Sequence, residues 1–585
     1  MNAPFAPHAS STPSASFAYF ETVTPAPVDP SALPFKVRMR DGVRLATDVY
    51  LPDSQSADEP GPTILVRLPY DKSGTYAALP LIARHLTGRG YRVAVQDVRG
   101  KFRSEGETLL FVNEVHDGYD TLEWITHQTW SDGIVGMWGD SYYGYTQWAA
   151  VASGHRALRA IAPRVTGTEL GQVVENPDGT RDVEMGIHLG YMATHYVGPD
   201  TYEWEPDPAR RPLIAPFEEF FQTLGRRSPS FDIAFPQEVR LRRWPEGHPF
   251  DHRAVPVLHT VGWYDNCAPW HWRDIEELTR RPDWANQQYL LIDAIDHENY
   301  HLKGAPYDDE STDHALSEDA FRTLLPGYLD PALDFFDVFL RRQGSPADLP
   351  RVRWHLVHGD EEDFRTDAVW PPTGSQALTL HLAPGAAAPD GDTPGLLSPT
   401  PPADLNTAIW THDPEDPVPS AVPNAFAYLQ TNPRLHDWSK RGDILVFDAE
   451  PAASPLDLAG PVSLDLALTT TGPSTDLFVK LLDVHPDGEA ELVAQGRVHI
   501  DTPSRRLTLP LGHVGYRLHR GHRLRLHVHS SDFPEFVLHP GTDENPWLAT
   551  HTNMTTQQIQ LGGNGGARLK LTATSTGHLD DAARS

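Results

Sequence analysis

The chain has 585 residues, 39% of them hydrophobic, and 79 Asp and Glu against 48 Lys and Arg give a formal net charge of −31. No apolar run reaches the roughly 18 residues that a membrane span needs, and no Lys/Arg cluster could neutralise a row of phosphates, so neither a membrane nor a nucleic acid is expected as a partner. The one cysteine, Cys267, permits no internal disulfide and fits a reducing, cytoplasmic setting.

In chain order, residues 1–34 are rich in Ala, Ser, Thr and Pro and carry no Lys or Arg. They read as a disordered arm rather than a secretory signal. From Phe35 to Pro52 apolar and polar residues alternate around Asp41-Gly42, the short-turn signal of a hairpin. An apolar run Thr63–Leu68, a helical pattern Leu79–Leu86 closed by Gly88 and Gly90, and a run Tyr91–Val95 follow. Val115, Tyr119, Leu122 and Ile125 lie at helical spacing within Glu114–Gln128, and Ile134–Trp138 is again strand-like. A helix Tyr142–Ala152 and a strand Leu158–Ala162 continue the alternation, which predicts a parallel sheet covered on both faces.

The rhythm then breaks. Residues 166–244 show helical patches, such as Met185–Tyr196 and Pro216–Leu224, but no convincing strand, and are expected to form a cap over the mouth of the sheet. Alternation resumes at Val255–Val261 and Gln288–Ile292, and a helix Pro331–Arg342 is predicted with Asp330 as N-cap. After Trp370-Pro371-Pro372 short alternating runs separated by Gly, Pro and Asp predict a β-sandwich, a jelly roll, over 371–575. The catalytic domain is thus expected over 35–165 and 245–370, and the tail 576–585 is expected to be disordered.

The strongest local signal is Gly136-Met137-Trp138-Gly139-Asp140-Ser141-Tyr142-Tyr143-Gly144. A serine on a sharp strand-to-helix turn points its hydroxyl outward, where the helix N-terminus supports a developing anion. Gly139 supplies the small residue two positions before the serine; the glycine of G-x-S-x-G is delayed from 143 to Gly144. A serine hydroxyl needs a base that is itself oriented by a carboxylate. In an α/β-hydrolase those partners follow in the order acid, histidine at the ends of later strands. Asp265, after Val255–Val261, and His297, after Gln288–Ile292, meet both conditions.

The chain resembles the CocE/NonD hydrolases, the family of cocaine esterase, α-amino-acid ester hydrolases and serine-type X-Pro dipeptidyl-peptidases. The matching stretches run from 37 to 571: Met39-Arg40-Asp41-Gly42-Val43-Arg44-Leu45, Pro69-Tyr70-Asp71-Lys72, Gln96-Asp97-Val98-Arg99-Gly100, the serine elbow, Gly262-Trp263-Tyr264-Asp265, Asp413-Pro414 with Asp416-Pro417-Val418-Pro419, and Ser530-Ser531-Asp532-Phe533-Pro534. The resemblance implies Ser141, Asp265 and His297 as the triad, with the Tyr70 hydroxyl and the Tyr142 N–H holding the oxyanion. Tyr143, Trp263 and Cys267 are expected near the substrate. Two acids that hold a substrate ammonium in the amino-acid ester hydrolases correspond here to Cys267 and Ala268. That difference, together with only a short N-terminal arm, favours an esterase over an X-Pro dipeptidyl-peptidase or other amidase.

Two competing readings come from other classes. His297-Glu298-Asn299-Tyr300-His301 matches the zinc signature H-E-x-x-H, but the signature needs a helix and this one runs into Gly304 and Pro306. No metal or cofactor is therefore expected. A non-catalytic binding protein on a hydrolase scaffold is the other. The expected partner is a small ester, amide or short peptide, and a homo-oligomer is compatible with the sequence.

Overall fold

The structure, a computed structural model, describes residues 21–22, 25–52, 59–176, 178–204, 206–235, 242–298, 318–359, 364–385, 394–422, 429, 431 and 433–574. Strands β1 (Leu33–Arg38) and β2 (Arg44–Tyr50) pair antiparallel. Their turn closes at Gly42, whose φ of +92° suits a residue without Cβ. The run continues with β3 (Gly61–Leu68), α1 (Leu79–Gly88), β4 (Arg92–Asp97), α2 (Glu114–Thr126), β5 (Ser131–Asp140), α3 (Ser141–Ala152) and β6 (Leu158–Arg164). After the insertion come β7 (Val257–Gly262), α7 (Ala268–Arg280), α8 (Pro282–Ala285), β8 (Gln288–Asp293), α9 (Glu318–Phe339), β9 (Val352–His355) and β10 (Phe364–Asp367).

These ten strands form one sheet in the order β10-β9-β8-β7-β6-β5-β3-β4-β2-β1. From β4 across to β9 neighbours are parallel, and both edges end in antiparallel pairs. Parallel strands need crossovers, and the helices that supply them cover both faces. This is why β4, Arg92–Asp97, is buried at every residue. Loops leaving the C-terminal ends of β3, β5, β7 and β8 meet above the sheet, where open α/β folds place their sites.

The helix before β9 differs from the expected Pro331–Arg342 capped by Asp330. It runs from Glu318 to Phe339 with Pro326 and Pro331 inside it. A proline within a helix removes a hydrogen bond and reads as a boundary, but Leu325, Leu329, Ala332, Leu333 and Phe336 are all buried against one core. The apolar stripe continues through Pro331, and its burial outweighs the lost bond.

The insertion holds α4 (Ile187–Thr194), α5 (Ala215–Leu224) and α6 (Pro229–Ala234). It also has a two-residue strand, Tyr202–Glu203, which pairs with Glu21–Thr22. Part of the N-terminal arm is therefore built into the protein, and the Ala26 N–H donates to Asp71 Oδ2 at 2.7 Å. Residues 1–20 and the tail from 575 lie outside the described residues.

Beyond Gln376 the chain is β-rich. Eleven described strands share one sheet, with long antiparallel partners Leu456–Thr470 and Ser504–Leu518. Along the first of these, Val462, Leu464, Leu466 and Leu468 enter the core at every second position. No described helix is long and apolar enough to cross a membrane.

Candidate active site

Ser141 follows β5 directly and begins α3, at φ +49°. A non-glycine residue in the left-handed region is strained, and such strain gathers at functional turns. The turn is tight: a Cβ on Gly139 would lie 2.1 Å from Tyr143 Cδ2, and one on Gly144 would lie 2.6 Å from Thr166 Cγ2. Small residues are thus required on both sides of the serine, and Gly144 serves where the helix passes Thr166. The Thr166 hydroxyl donates to the Ser141 carbonyl at 2.6 Å. The carboxylate of Asp140 accepts from Arg164 Nε at 2.9 Å and from the Tyr328 hydroxyl.

Asp265 and His297 meet from the ends of β7 and β8. His297 Nδ1 lies 2.6 Å from Asp265 Oδ1, and both side chains are buried. The same Oδ1 accepts from the Cys267 N–H at 3.0 Å, which fixes the carboxylate within its own loop. Burial alone would depress the imidazole, but Cys267 and Asp265, through charge and hydrogen bonds, raise its pKa well above the ordinary value. The Cys267 thiol is pushed up to about 11, chiefly by burial. Asp265, Cys267 and His297 bring one ligand atom each within 4.8 Å of one another, a spacing that the hydrogen bonds among them account for. His301, the second histidine of the H-E-x-x-H match, lies outside the described residues.

Tyr70 enters from the loop after β3 and lines the same cavity as Ser141, near enough for the serine to act on its hydroxyl. Burial raises its pKa, so it keeps its proton and can donate. The loop is pinned two residues on: Lys72 Nζ lies 2.6 Å from Asp48 Oδ2, and the Lys72 N–H donates to Asp97 Oδ1 at 3.0 Å. The Tyr142 side chain turns away, its hydroxyl donating to Glu114 at 3.0 Å. Its backbone N–H belongs to the first turn of α3, where amides lack intrahelical acceptors.

Tyr70, Ser141, Tyr142, Tyr143, Cys267 and His297 all line one cavity of about 370 Å³. Tyr143 stands edge-on to Tyr70 with ring centres 6.2 Å apart. Trp263, expected beside them, is placed elsewhere. Its indole packs against Trp272 and Trp370, and its N–H donates to the His355 carbonyl at 2.9 Å. Proximity to Asp265 in sequence suggested the pocket, but the strand ends at Gly262 and the chain turns at Trp263–Tyr264, so the two side chains diverge and the indole leaves toward the β-rich unit. That unit meets it at Gly515, where a Cβ would lie 2.7 Å from the indole.

The cap completes the wall with Met185, Ile187, Tyr191 and Met192, and α7 adds Trp270. A helix around Met185–Tyr196 is legible in the sequence, but which of its faces looks inward is not. The β-rich unit holds the cap in place: the Gly186 N–H donates to the Glu535 carbonyl at 2.7 Å, and the Val537 N–H to the Glu184 carbonyl at 2.9 Å. It also lends the cavity Arg497, which sequence reading passed over. The available signal is a lone arginine in the otherwise alternating strand Ala490–Ile500.

Residues 41–299 match the family model of the X-Pro dipeptidyl-peptidase (S15 family), and residues 344–570 match that of the X-Pro dipeptidyl-peptidase C-terminal non-catalytic domain. Cocaine esterase of Rhodococcus sp. (strain MB1 Bresler) is 30% identical over 552 residues, spanning 86% of this chain and 90% of that protein. In fold, the chain is similar to the aminopeptidase of a marine sediment archaeon, Thaumarchaeota archaeon (TM-score 0.73, 20% identity, 95% of this chain and 99% of that one). An α-amino acid ester hydrolase gives a TM-score of 0.72 at 22% identity, over 94% and 98% of the two chains. On this sequence identity and coverage, together with the two family models, the chain belongs to the S15 and CocE/NonD family of serine hydrolases.

Proposed function

We propose that the protein is an esterase in which Ser141 attacks the substrate carbonyl, His297 is the base and Asp265 orients the base. The observation that carries this reading is that a strained serine, at φ +49°, lines the same cavity as an imidazole held 2.6 Å from a carboxylate. With Nδ1 occupied by Asp265, Nε2 is left to take the Ser141 proton as the acyl carbon is attacked and to return it to the leaving oxygen. The hydroxyl of Tyr70 and the N–H of Tyr142 receive the oxyanion. Water then attacks the acyl-enzyme by the reverse path, releasing acid and restoring Ser141.

Esters are preferred over peptides with a free amino end. The positions that would carry the ammonium-binding acids are Cys267 and Ala268; much of the wall is aromatic and aliphatic, and its acid Glu184 is already held by His188. A fluorophosphonate probe should label the intact protein, and Ser141→Ala should abolish labelling. Assayed side by side, p-nitrophenyl esters should turn over well above aminoacyl and X-Pro anilides. Faster anilide turnover would instead assign the peptidase activity that names the family model, and an unlabelled Ser141 would end the hydrolase reading.

A further inference from the structure

Arg497 stands out among the groups that line the cavity. It lies on the strand Ala490–Ile500 of the β-rich unit and lines the cavity of Ser141 and His297 as well as a neighbouring one that it shares with Asp182 and Arg273. Its Nε is sealed from solvent with no hydrogen-bond acceptor. Among the described residues no hydrogen bond or ion pair reaches its terminal nitrogens either.

The neighbouring carboxylates are engaged or withdrawn. Asp182 is held by both terminal nitrogens of Arg273, at 2.9 and 3.1 Å. Asp532 is held by Lys480 Nζ at 2.9 Å. Glu535, whose carboxyl is pushed up chiefly by burial, makes no ion pair with Arg497 among the described residues. What Arg497 does touch is the face of Phe536, with the guanidinium carbon 4.3 Å from the ring centre. That stacking positions the group but offers no acceptor in the plane of its N–H bonds.

Arg497 is half-buried with its Nε sealed, and a guanidinium cannot shed its proton to escape that partial desolvation. A lone cation kept in a substrate cavity fits a site completed by an anion that arrives with the substrate. It lines the same cavity as Cys267 and His297. The lining also holds Arg164, which is bound to Asp140, and the carboxylates of Glu184, paired with His188, and Glu298, so among the described residues Arg497 is the lining arginine without a protein acceptor.

We propose that Arg497 is a specificity-determining residue that pairs with a carboxylate on the substrate, so that the preferred ester bears an anionic group away from its scissile carbonyl. Planar N–H pairs match a carboxylate two-point, as they do in ordinary Arg–carboxylate bridges. The proposal rests on the hydrolase reading of Ser141. It assigns the recognised feature of the substrate as an anion, where an ammonium-binding relative uses acids.

Matched substrates test it. For the acyl half the pair is p-nitrophenyl hydrogen glutarate and p-nitrophenyl valerate; for the leaving half it is 4-acetoxybenzoate and its methyl ester. In at least one pair the charged member should have the higher kcat/KM, and Arg497→Gln should lower that value about 10- to 100-fold, mainly through KM. The uncharged member should keep its rate within about twofold, which also shows that the variant is folded. Absence of charge preference in both pairs, or equal loss for charged and uncharged esters, would overturn the proposal.

Should the variant fail to fold, the wild-type protein still decides. Glutarate should inhibit hydrolysis of the uncharged ester competitively and at least tenfold better than glutaramide, whereas equal inhibition refutes the pairing. If no ester is turned over and the fluorophosphonate does not label Ser141, the hydrolase reading fails by itself. Calorimetric titration of wild type and Arg497→Gln with glutarate then reads the anion site alone, and equal binding to the two overturns it.

Discussion

His297 Nδ1 sits 2.6 Å from Asp265 Oδ1, and the same oxygen receives the Cys267 N–H at 3.0 Å, so base and carboxylate are fixed as one unit by a loop of a few residues. The imidazole pKa is raised by that surrounding against the effect of burial. A base must be neutral to act, and a raised pKa keeps it protonated to higher pH. The acid limb of kcat/KM against pH should therefore lie above the ordinary histidine value of about 6.5. In Asp265→Asn the limb should move down, and the rate at its plateau should fall by about 10⁴-fold. Stopped-time assays of a p-nitrophenyl ester from pH 5 to 9 measure both; a limb unmoved by the substitution would contradict the assignment of Asp265.

Tyr70→Phe removes one proposed oxyanion donor and leaves the ring packing in place. The expected loss is about 2.7 to 4 kcal/mol of transition-state stabilisation, or 10²- to 10³-fold in kcat. KM and melting temperature should change little. A variant with near wild-type kcat would remove Tyr70 from the chemistry.

Cys267 touches His297 but is a poor nucleophile, since burial pushes its thiol up to about 11. At pH 8 its thiolate is scarce, and iodoacetamide should react at least about 100-fold more slowly than with an unperturbed cysteine. In denaturant the one thiol should titrate at the ordinary rate. Rapid modification of the folded protein, followed by mass spectrometry, would show that the thiol is more open than its packing implies.

Lys72 is enclosed between Asp48, at 2.6 Å, and Asp97, at 3.8 Å. Replacing it by methionine leaves two buried carboxylates without their cation, and the expected loss is about 3 to 5 kcal/mol. The sign of its pH dependence follows from Asp97, whose carboxyl is pushed up to about 6, chiefly by burial and against Lys72. A raised carboxyl pKa favours the folded state below the unfolded value and loses that contribution as pH rises through the folded one. Without Lys72 it rises further, so the variant should be penalised less at pH 5 than at pH 8 in urea unfolding. Because Lys72 follows Tyr70 by two residues, kcat should fall as well.

The central sheet was legible because its strands are apolar runs bounded by Gly and Asp, and because the positions of Ser141, Asp265 and His297 at strand ends obey one topological rule. What the sequence hid depends on which way a side chain leaves its backbone. Trp263 and Asp265 are two residues apart, yet one enters the domain seam and the other the site. Pro331 signals a helix start locally and is overruled by the stripe Leu325–Phe336. Arg497 could not be assigned because its strand belongs to another unit of the chain, and only the packing of that unit on the cap brings the residue to the cavity.

The indole cluster of Trp263, Trp272 and Trp370 has its own implication. Trp272 stacks on His513 of the β-rich unit with ring centres 3.9 Å apart, and Trp370 Nε1 donates to His513 Nδ1 at 2.9 Å. Trp263 thus anchors one end of the short loop whose other end presents Asp265. The seam between the two halves therefore lies two residues from Asp265. If Asp265 orients His297 as proposed, the C-terminal half, though named non-catalytic in the family model, would share in holding that pair aligned.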